Sequence, residues 1–410
     1  MQFIDIVYLS LYFVMLYSSI LWFTVFFSYR NNFFKNPKPK NFSSISFLIP
    51  VHNEKKNIKK CIISLLNLDY PKEKIKIFVV DDGSTDCTKK IVLKIAKKLK
   101  NIKLIEQEHK GKGAAINNGL RYVKTELVAC MDADSSPDKN YLKKMIGYFN
   151  DEKVGLVTPA LKVAKVDSLM RKIQWIEYLF SIYLRKLFSY FQCQYVAPGP
   201  GSIYRTEILK KIGGFDEKNL TEDMEIAFRF VDKNYKTENC VDAYVKTDSP
   251  KDFMELFGQR IRWYRGYIQN VKKYSHMILN PKFGDIGMFL LPINFFWMFA
   301  LVFLLFAPLY TLINSSISYI VYWGYINYHL MPLEIEMSVL SIDFYSFFGV
   351  LFLLFTMLII WASIYSSREK IELKKRLVFY IAFMLLYPIL ISLFWTFSIF
   401  FEILGVKRKW

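Results

Sequence analysis

The chain has 410 residues, of which 53% are hydrophobic and 18% aromatic, and its formal net charge is +19. The apolar residues are concentrated in 1–28 and 286–404, which argues against a wholly soluble protein and fits an integral membrane protein with one cytosolic domain between its apolar ends. The excess of lysine does not require a nucleic-acid partner, because anionic lipid head groups attract the same kind of basic surface.

The N-terminal segment 3–27 is long enough to cross a bilayer, which takes about 20 apolar residues. A cleaved signal peptide is the competing interpretation. It is disfavoured because no basic residue precedes the segment, the apolar run is too long and no small-residue cleavage site follows. Arg30, Lys35, Lys38 and Lys40 come shortly after it, and basic residues favour the cytosolic side of a membrane. The segment that follows is therefore predicted to be cytosolic.

Three further spans are predicted, at about 286–313, 343–366 and 377–404. The 367–376 loop carries five basic residues and is expected to be cytosolic, whereas the 314–342 connection has no Lys or Arg and is expected to be external. Four spans place the C-terminus outside, but the basic tail 407–409 argues against that side, and Pro388 is a candidate break in the last span.

Between the apolar ends, a linker at 31–44 precedes alternating strands and helices. Strands are predicted at 45–51, 75–80, 102–107 and 127–131, and helices at 55–67, 87–99 and 113–123. This βαβαβ alternation predicts a parallel, doubly wound sheet with helices on both faces, in which ligands bind beyond the carboxyl ends of the strands. The five cysteines form no C-x-x-C pair, which predicts reduced structural thiols and no cysteine metal site.

Two Asp-rich turns follow predicted strands. Asp132 and Asp134 form an Asp-x-Asp pair, and two carboxylates held at a strand end can bind Mg²⁺ or Mn²⁺ together with substrate phosphates and water. The alternative is an ordinary turn with Asp at cap positions. In the other turn, 81–86, Asp81 and Asp82 can accept hydrogen bonds from a base or a ribose, although a helix N-cap cluster explains the same residues.

Two glycine-containing segments come next. Lys110-Gly111-Lys112-Gly113 precedes a predicted helix without Walker A spacing. It suits either a phosphate site at a helix start or a solvated basic turn. Pro198-Gly199-Pro200-Gly201-Ser202 is predicted to be a rigid loop leading into a helix, with an ordinary turn as the alternative.

Two helices carry further polar candidates. Thr221 is the predicted N-cap of a helix at 222–232, and Glu222 and Asp223 suit its positive end. Capping alone explains them, but a carboxylate in a cleft can also act as a general base. The basic, amphipathic stretch 252–272 carries Gln259-Arg260-Ile261-Arg262-Trp263. It is either an interfacial helix at the lipid head groups or a site that places Arg262 on a diphosphate and Trp263 against a sugar ring.

In order and spacing, these motifs together resemble those of the GT-A family 2 glycosyltransferases, in particular the membrane-bound synthases of cellulose, chitin, hyaluronan and poly-N-acetylglucosamine. The resemblance rests on Pro50-Val-His-Asn53-Glu54, the 81–86 turn, Asp132-Ala-Asp134, 199–205, Thr221-Glu222-Asp223 and Gln259-x-x-Arg262-Trp263. It implies an N-terminal transmembrane helix at 1–29, a cytosolic Rossmann-like α/β GT-A domain at 30–250, an interfacial region at 251–280 and about three transmembrane helices at 281–410.

The resemblance also implies roles for individual residues. Asp223 would be the catalytic base, and Asp132 and Asp134 would bind the nucleotide and Mg²⁺ or Mn²⁺, with Asp134 as the more direct metal ligand. The further substrate contacts implied are Asp81 or Asp82 and Lys112 for the nucleotide, Glu222 beside the base, and Gln259, Arg262 and Trp263 for the acceptor and diphosphate. The implied reaction displaces a nucleoside diphosphate at the anomeric carbon and inverts its configuration.

The chain departs from the cellulose synthases in having fewer spans, and the Gln-x-x-Arg-Trp motif also occurs in relatives that add one sugar to a lipid, such as ceramide glucosyltransferases. Three hypotheses therefore stay open. The first is a multi-pass cell-membrane enzyme that extends a glycan from a nucleotide sugar. The second is an enzyme that adds one or a few sugars to a membrane lipid. The third is a transporter or non-catalytic scaffold, which has no need of acidic residues at strand ends.

Overall fold

The computed structural model describes residues 3–325, 344–369 and 373–406. Its strands are β1 (Ile45–Val51), β2 (Ile75–Asp82), β3 (Ile102–Gln107), β4 (Leu127–Cys130), β5 (Ser136–Pro137), β6 (Val154–Val163), β7 (Ile203–Arg205) and β8 (Lys236–Thr247). Its α-helices are α1 (Phe3–Tyr29), α2 (Ile58–Leu66), α3 (Thr88–Ala96), α4 (Lys112–Tyr122), α5 (Tyr141–Met145), α6 (Leu169–Tyr190), α7 (Thr206–Lys211), α8 (Glu222–Asp232), α9 (Phe253–Lys273), α10 (Leu291–Tyr325), α11 (Phe344–Ser366) and α12 (Leu373–Ile403).

The strands form one mixed sheet in the order β3-β2-β1-β4-β7-β6-β8-β5. Strands β1 to β4 are parallel to one another where they pair, β7 runs antiparallel to both β4 and β6, and β6 pairs in parallel with β8. The predicted α/β fold with a mostly parallel sheet is confirmed. Because β4, β6 and β8 run in the same direction, their carboxyl ends share one edge, where ligands bind in such sheets.

Apolar side chains cover both faces of the sheet, which explains why β1 is hydrophobic at every position except Ser46. Phe47 and Ile49 pack with Ile62 of α2 on one face, and Leu48 packs with Ile116 of α4 on the other. Burying each such side chain contributes roughly 1.5–3 kcal/mol to folding. The helices that carry site residues are therefore fixed to the sheet by its core.

Helix α6 lies between the sheet and the long apolar helices. Tyr183 of α6 meets Phe26 of α1 with ring centroids 5.6 Å apart, and Phe188 of α6 meets Trp22 at 5.2 Å. Helix α6 is also bonded to the sheet, where Lys186 donates to the carbonyl of Asn239 in β8 at 3.0 Å. Helix α6 thus joins the soluble part of the chain to its apolar part.

The described residues contain four helices that are long and apolar enough to cross a membrane: Ile6–Tyr29, Ile286–Tyr322, Gly349–Ser366 and Val378–Ile403. They coincide with the four predicted segments. One prediction is wrong in part, because α10 continues to Tyr325 through the first part of the predicted 314–342 connection, a stretch with no proline to end it. Residues 326–343 and the tail 407–410 lie outside the described residues.

Two local predictions are corrected by the structure. Helix α12 runs through Pro388 without a break, since a proline costs a helix one backbone hydrogen bond and the surrounding apolar packing keeps the others. The loop at 198–202 leads first into strand β7 and only then into helix α7, because Ile203 and Tyr204 are buried between β4 and β6.

Candidate active site

A cavity of about 550 Å³ opens at the carboxyl edge of the sheet, between α6, α8, α9, α10 and α12. Eight of the ten residues predicted as site residues line it: Lys112, Asp132, Asp134, Glu222, Asp223, Gln259, Arg262 and Trp263. Residues more than 100 positions apart in the chain therefore meet around one space. Asp81 and Asp82 are the two predicted residues that do not line this cavity.

Asp82 is occupied by contacts within the protein. Its Oδ1 accepts hydrogen bonds from Gln107 Nε2 at 2.7 Å and from the Lys110 amide at 2.8 Å, and its Oδ2 accepts from the Gly111 amide at 2.9 Å. Burial raises the pKa of Asp82, but these hydrogen bonds outweigh it and hold the pKa below its ordinary value. Asp82 thus fixes the turn before α4. Asp81 accepts one bond, from the Ser84 amide at 3.0 Å, and its contact with a nucleotide base stays a prediction.

Lys112 stands at the start of α4 and joins two acidic residues. Its Nζ lies 2.8 Å from Asp132 Oδ1 and 3.4 Å from Glu222 Oε1. Burial lowers the pKa of Lys112, but the neighbouring carboxylates outweigh it, so the pKa lies above its usual value. Gly111 supplies the turn with φ of 96°, a backbone conformation that favours glycine. The lysine is therefore a fixed positive charge in the wall of the cavity.

Gly199 explains how Lys112 and Asp132 fit beneath the loop before β7. A Cβ added at Gly199 would lie 2.7 Å from Lys112 Nζ and 3.4 Å from Asp132 Oδ2. A side chain at this position would therefore displace the lysine ammonium from its place beneath the loop. The glycine of the predicted rigid loop leaves room for the lysine–aspartate pair.

Asp134 is the second of the Asp-x-Asp carboxylates, and both are half-buried. Its Oδ1 accepts a hydrogen bond from Ser135 Oγ at 2.8 Å and lies 3.4 Å from Thr247 Oγ1. Burial and the neighbouring charge of Asp132 raise the pKa of Asp134 to about 6. Two carboxylates that oppose each other's ionisation at a strand end form an oxygen donor set that suits a hard divalent cation.

Asp223 occupies the first turn of α8 and points into the cavity. Burial and the adjacent Glu222 raise its pKa to about 6, while Lys112 and Arg262 act in the opposite direction. Its backbone carbonyl accepts from the Ala197 amide at 3.1 Å, which ties α8 to the loop before β7. A carboxyl group with a pKa just below neutrality is suited to proton transfer.

The prediction that Thr221 is the N-cap of α8 is confirmed. Thr221 holds the N-cap position without a side-chain cap bond, and its Oγ1 instead accepts from Asn270 Nδ2 of α9 at 3.0 Å. Gly266 of α9 allows this approach, since a Cβ there would lie 2.3 Å from Thr221 Oγ1. The hydroxyl thus joins two helices.

A second set of bonds joins α8 and α9 around Glu225, a fully buried carboxylate that the sequence did not single out. Its Oε1 accepts from Tyr274 Oη at 2.7 Å and from Lys273 Nζ at 2.8 Å, and Arg229 completes the cluster. Together with the Thr221 contact, this cluster fixes the helix that carries Asp223 to the helix that carries Arg262. We call this pairing of α8 and α9 the helix lock.

Helix α9 begins where Asp252 Oδ1 accepts from the Glu255 amide at 3.0 Å, and it carries the Gln259–Trp263 motif. Within that motif Arg262 is exposed toward the cavity, whereas Arg260 is only 1% exposed. Arg260 bonds Glu177 of α6 at 2.6 Å and Gln259 Oε1 at 2.6 Å, and its guanidinium lies 4.2 Å from the ring centroid of Trp263. Arg260 therefore holds both of its neighbours in the motif.

Sequence reasoning missed Arg260, Glu177 and the walls of the cavity supplied by α6, α10 and α12. Those walls include Arg185, Tyr195, Asn294, Trp297, Ile391 and Trp395. In the sequence, Trp297 and Trp395 are simply part of predicted spans. The one available signal was Asn294, a polar side chain within an otherwise apolar segment.

Residues 46–213 match the family model described as glycosyl transferase family 2. The chain carries a family 2 glycosyltransferase domain. It is 29% identical over 256 residues to the β-monoglucosyldiacylglycerol synthase of Nostoc sp., and 30% identical over 225 residues to the poly-β-1,6-N-acetyl-D-glucosamine synthase of Staphylococcus epidermidis. The alignments cover 60% and 54% of this chain, and the chain spans only 55% and 54% of those relatives.

The glycosyltransferase domain and its helices also resemble a solved structure, the mannosyltransferase of Pyrobaculum calidifontis in complex with GDP-Man and Mn²⁺. The TM-score is 0.54 at 20% identity, over 87% of this chain and 98% of that one. At this identity the similarity concerns the fold alone. It confirms the predicted GT-A architecture.

Proposed function

We propose that this chain is a membrane-bound inverting glycosyltransferase that transfers a sugar from a nucleotide diphosphate sugar to a growing glycan. The observation that carries the proposal is the arrangement of charges around one cavity. A half-buried carboxylate, Asp223, faces two cations, Lys112 and Arg262, in a family 2 glycosyltransferase domain. This arrangement provides a base for an acceptor hydroxyl and positive charge for a departing diphosphate.

In the proposed reaction, Asp223 accepts the proton of the acceptor hydroxyl. The hydroxyl oxygen forms a bond to the anomeric carbon as the bond from that carbon to the diphosphate oxygen breaks, and the configuration inverts. Lys112 and Arg262 offset the negative charge that collects on the diphosphate, which is an electrostatic contribution to the rate. Trp263 offers an aromatic face to a sugar ring, and Arg260 keeps it in place.

A divalent cation, Mg²⁺ or Mn²⁺, fits this site and would offset charge on the diphosphate. Asp134 would hold it with Asp132, whose Oδ1 is bonded to Lys112. Among the described residues, no group of three or more His, Cys, Asp or Glu side chains is placed to hold a metal alone. The remaining ligands would come from the donor's phosphates and from water, as is usual for Mg²⁺.

Aromatic side chains in the acceptor half of the cavity favour a glycan. Trp263, Trp297 and Trp395 line it together with Tyr264, and flat apolar rings suit the faces of sugars. A membrane lipid is the second candidate acceptor. Met298, Leu301 and Ile391 line the same cavity, and α10 and α12 are apolar enough to contact lipid. The catalytic domain would face the cytosol in either case, where nucleotide sugars are available.

The test is a donor screen with the full chain in membranes, using labelled UDP-, GDP- and other nucleotide sugars with Mg²⁺ or Mn²⁺, and chelator as the control. Transfer of label from the nucleotide sugar to a product supports the proposed activity. Label that stays in the aqueous polymer fraction after chloroform extraction supports a glycan acceptor. Label found only in the chloroform phase would replace the glycan by a lipid. No transfer from any donor would overturn the proposed activity.

A further inference from the structure

Helix α12 differs from the other long apolar helices in how it meets the catalytic domain. Its 31 residues measure about 46 Å at 1.5 Å per residue, which exceeds the roughly 30 Å hydrocarbon core of a bilayer. A helix of that length that crossed a membrane would have its two ends on opposite sides. Both ends of α12 instead contact charged residues of α6 and α9.

The first turns of α12 lie on α6. Lys172 Nζ is 4.2 Å from the ring centroid of Phe379, and the rings of Trp175 and Tyr380 are 6.4 Å apart. Further along, Trp395 stacks on Tyr264 of α9 with centroids 4.4 Å apart. The helix thus follows the domain from α6 to α9.

The last turn of α12 is bonded to α9. Glu402 Oε1 accepts from Arg265 Nε at 2.6 Å and from Gln269 Nε2 at 2.8 Å, and Arg265 Nη2 donates to the carbonyl of Val406 at 2.9 Å. Arg265 is 8% exposed, so its charge is matched inside the protein rather than by water.

Helices α6 and α9 both belong to the soluble domain. Arg171 of α6 donates to the carbonyl of Ser249 at 3.0 Å, just after β8, and Lys273 of α9 bonds Asp216 at 2.8 Å. The residues that contact the two ends of α12, Lys172 and Arg265, therefore lie on one side of the membrane. A helix whose two ends contact these residues has both ends on that side of the membrane.

Helix α10 shows the contrast. Its first turns, with Asn294, Trp297 and Met298, meet Ile391 and Trp395 of α12 around the cavity. Its far half, 309–322, is exposed in the described structure. Helix α12 thus crosses α10 near the domain and does not accompany it outward, as an antiparallel span would.

The outer face of α12 is apolar and exposed. Val378, Ile381, Leu385, Ile389 and Ile403 are 73%, 47%, 65%, 50% and 78% exposed. These residues recur at helical spacing, and Phe400, which is 52% exposed, continues the stripe between Ile389 and Ile403. The helix is hydrophobic all round because one face packs on apolar residues of the domain and the other is left for lipid.

We propose that α12 does not cross the membrane but lies in the plane of its surface, with the stripe Val378–Ile403 against the acyl chains of the leaflet on the catalytic side. Three helices, α1, α10 and α11, cross the bilayer, and the end of α12 is on the same side as the catalytic domain. Ile391 and Trp395 then form a floor of the cavity at the depth of the lipid surface.

The test determines on which side of the membrane each of three single cysteines lies. Sealed right-side-out and inverted membrane vesicles are treated with a membrane-impermeant maleimide, which labels only the cysteines on the outer side of each vesicle. The exposed native Cys87 reports the catalytic side, and Cys61, Cys130, Cys193 and Cys240 are buried. In a Cys87→Ser background, Val406→Cys reports the end of α12 and Ser318→Cys reports the far end of α10. We expect Val406→Cys to label in the same vesicles as Cys87, and Ser318→Cys in the opposite ones. Labelling of Val406→Cys together with Ser318→Cys would overturn the proposal.

A charge swap decides the case in which Val406→Cys labels in neither kind of vesicle. Arg265→Glu and Glu402→Arg should each lower the thermal midpoint by on the order of 5 °C, because each leaves like charges in contact at a largely buried site. The double variant should recover at least half of that loss if both residues share one side of the membrane. A double variant no more stable than the singles would count against the proposal.

Discussion

The proposed donor and acceptor ends of the cavity are held in different ways. At the donor end, hydrogen bonds and ion pairs already fix the carboxylates and Lys112, as the three donors to Asp82 show. At the acceptor end, helix packing positions the side chains, with Arg260 supporting Gln259 and Trp263 and with α10 and α12 as walls. The donor end is thus fixed locally by the chain, whereas the acceptor end depends on helices far apart in sequence.

Asp223 lies between the two ends, and we expect its substitution to have the largest effect on the rate of transfer. Asp223→Asn removes the proposed base while keeping the shape of the side chain, and a general base contributes about 10²- to 10⁴-fold to the rate. We expect at least about a thousandfold loss of transfer, measured with a labelled donor, at an unchanged protein level. The control is Asp232→Asn at the far end of the same helix, which should keep its activity. Full activity in Asp223→Asn would remove the base assignment.

The donor end can be disturbed without changing any charge. In Gly199→Ala the added Cβ would lie 2.7 Å from Lys112 Nζ, so the lysine ammonium must shift relative to Asp132. We expect roughly a hundredfold lower kcat/KM, since misplaced charge is costly in a preorganised site. Gly258→Ala is the matched control, because a Cβ there has nothing within 4 Å and alanine favours a helix. Equal activity in the two variants would contradict the close approach at Gly199.

A substitution at the acceptor end should lower the stability of the protein as well as the rate of transfer. Arg260→Met leaves Glu177 without its partner, and breaking such a buried pair costs about 3 kcal/mol or more. We expect a lower thermal midpoint together with about tenfold lower activity, as Gln259 and Trp263 lose their support. Arg262→Met, in the same motif but exposed, should lose activity while its stability changes by less than about 0.5 kcal/mol. Loss of stability in both variants, or in neither, would show that Arg260 has no special structural role.

The smallest effect concerns pH. With the pKa of Asp223 at about 6, transfer should fall as the pH drops below 6 because the base becomes protonated, by about tenfold between pH 7 and pH 5. Stability should change in the opposite direction. The folded state binds more protons than the unfolded chain between about pH 4 and 6, so the free energy of unfolding decreases as pH rises through that window. A rate profile that stays flat from pH 5 to 7 would contradict the assignment.

The sequence predicts the donor end well because its signals are local. The strands β1 to β4 and their turns follow from apolar runs that end in Asp or Gly, and Lys112, Asp132 and Asp134 line the cavity as expected. The sequence did not predict that Asp82 is hydrogen-bonded within the protein, because the donors are backbone amides 28 and 29 residues further along the chain.

The acceptor end was predicted only in part, because its contacts are between distant segments. The motif at 259–263 was found, but the burial of Arg260 depends on Glu177, which is 83 residues away. The side chain of Thr221 bonds Asn270 rather than its own helix for the same reason. An all-apolar segment such as α12 has no periodicity that tells a crossing helix from one packed along a domain.

The helix lock has a mechanical consequence. Because Gly266 lets Thr221 contact α9, and Glu225 binds the end of α9, Asp223 and Arg262 lie on two helices that are fixed to each other. Helix α9 is in turn bonded to α12 through Glu402. With α12 at the membrane surface as proposed, lateral pressure or a change in lipid thickness would displace this helix. The displacement would be transmitted to α8, which carries Asp223, through the Glu402 contact and the helix lock. The geometry of the proposed active site would then depend on the bilayer as well as on the protein.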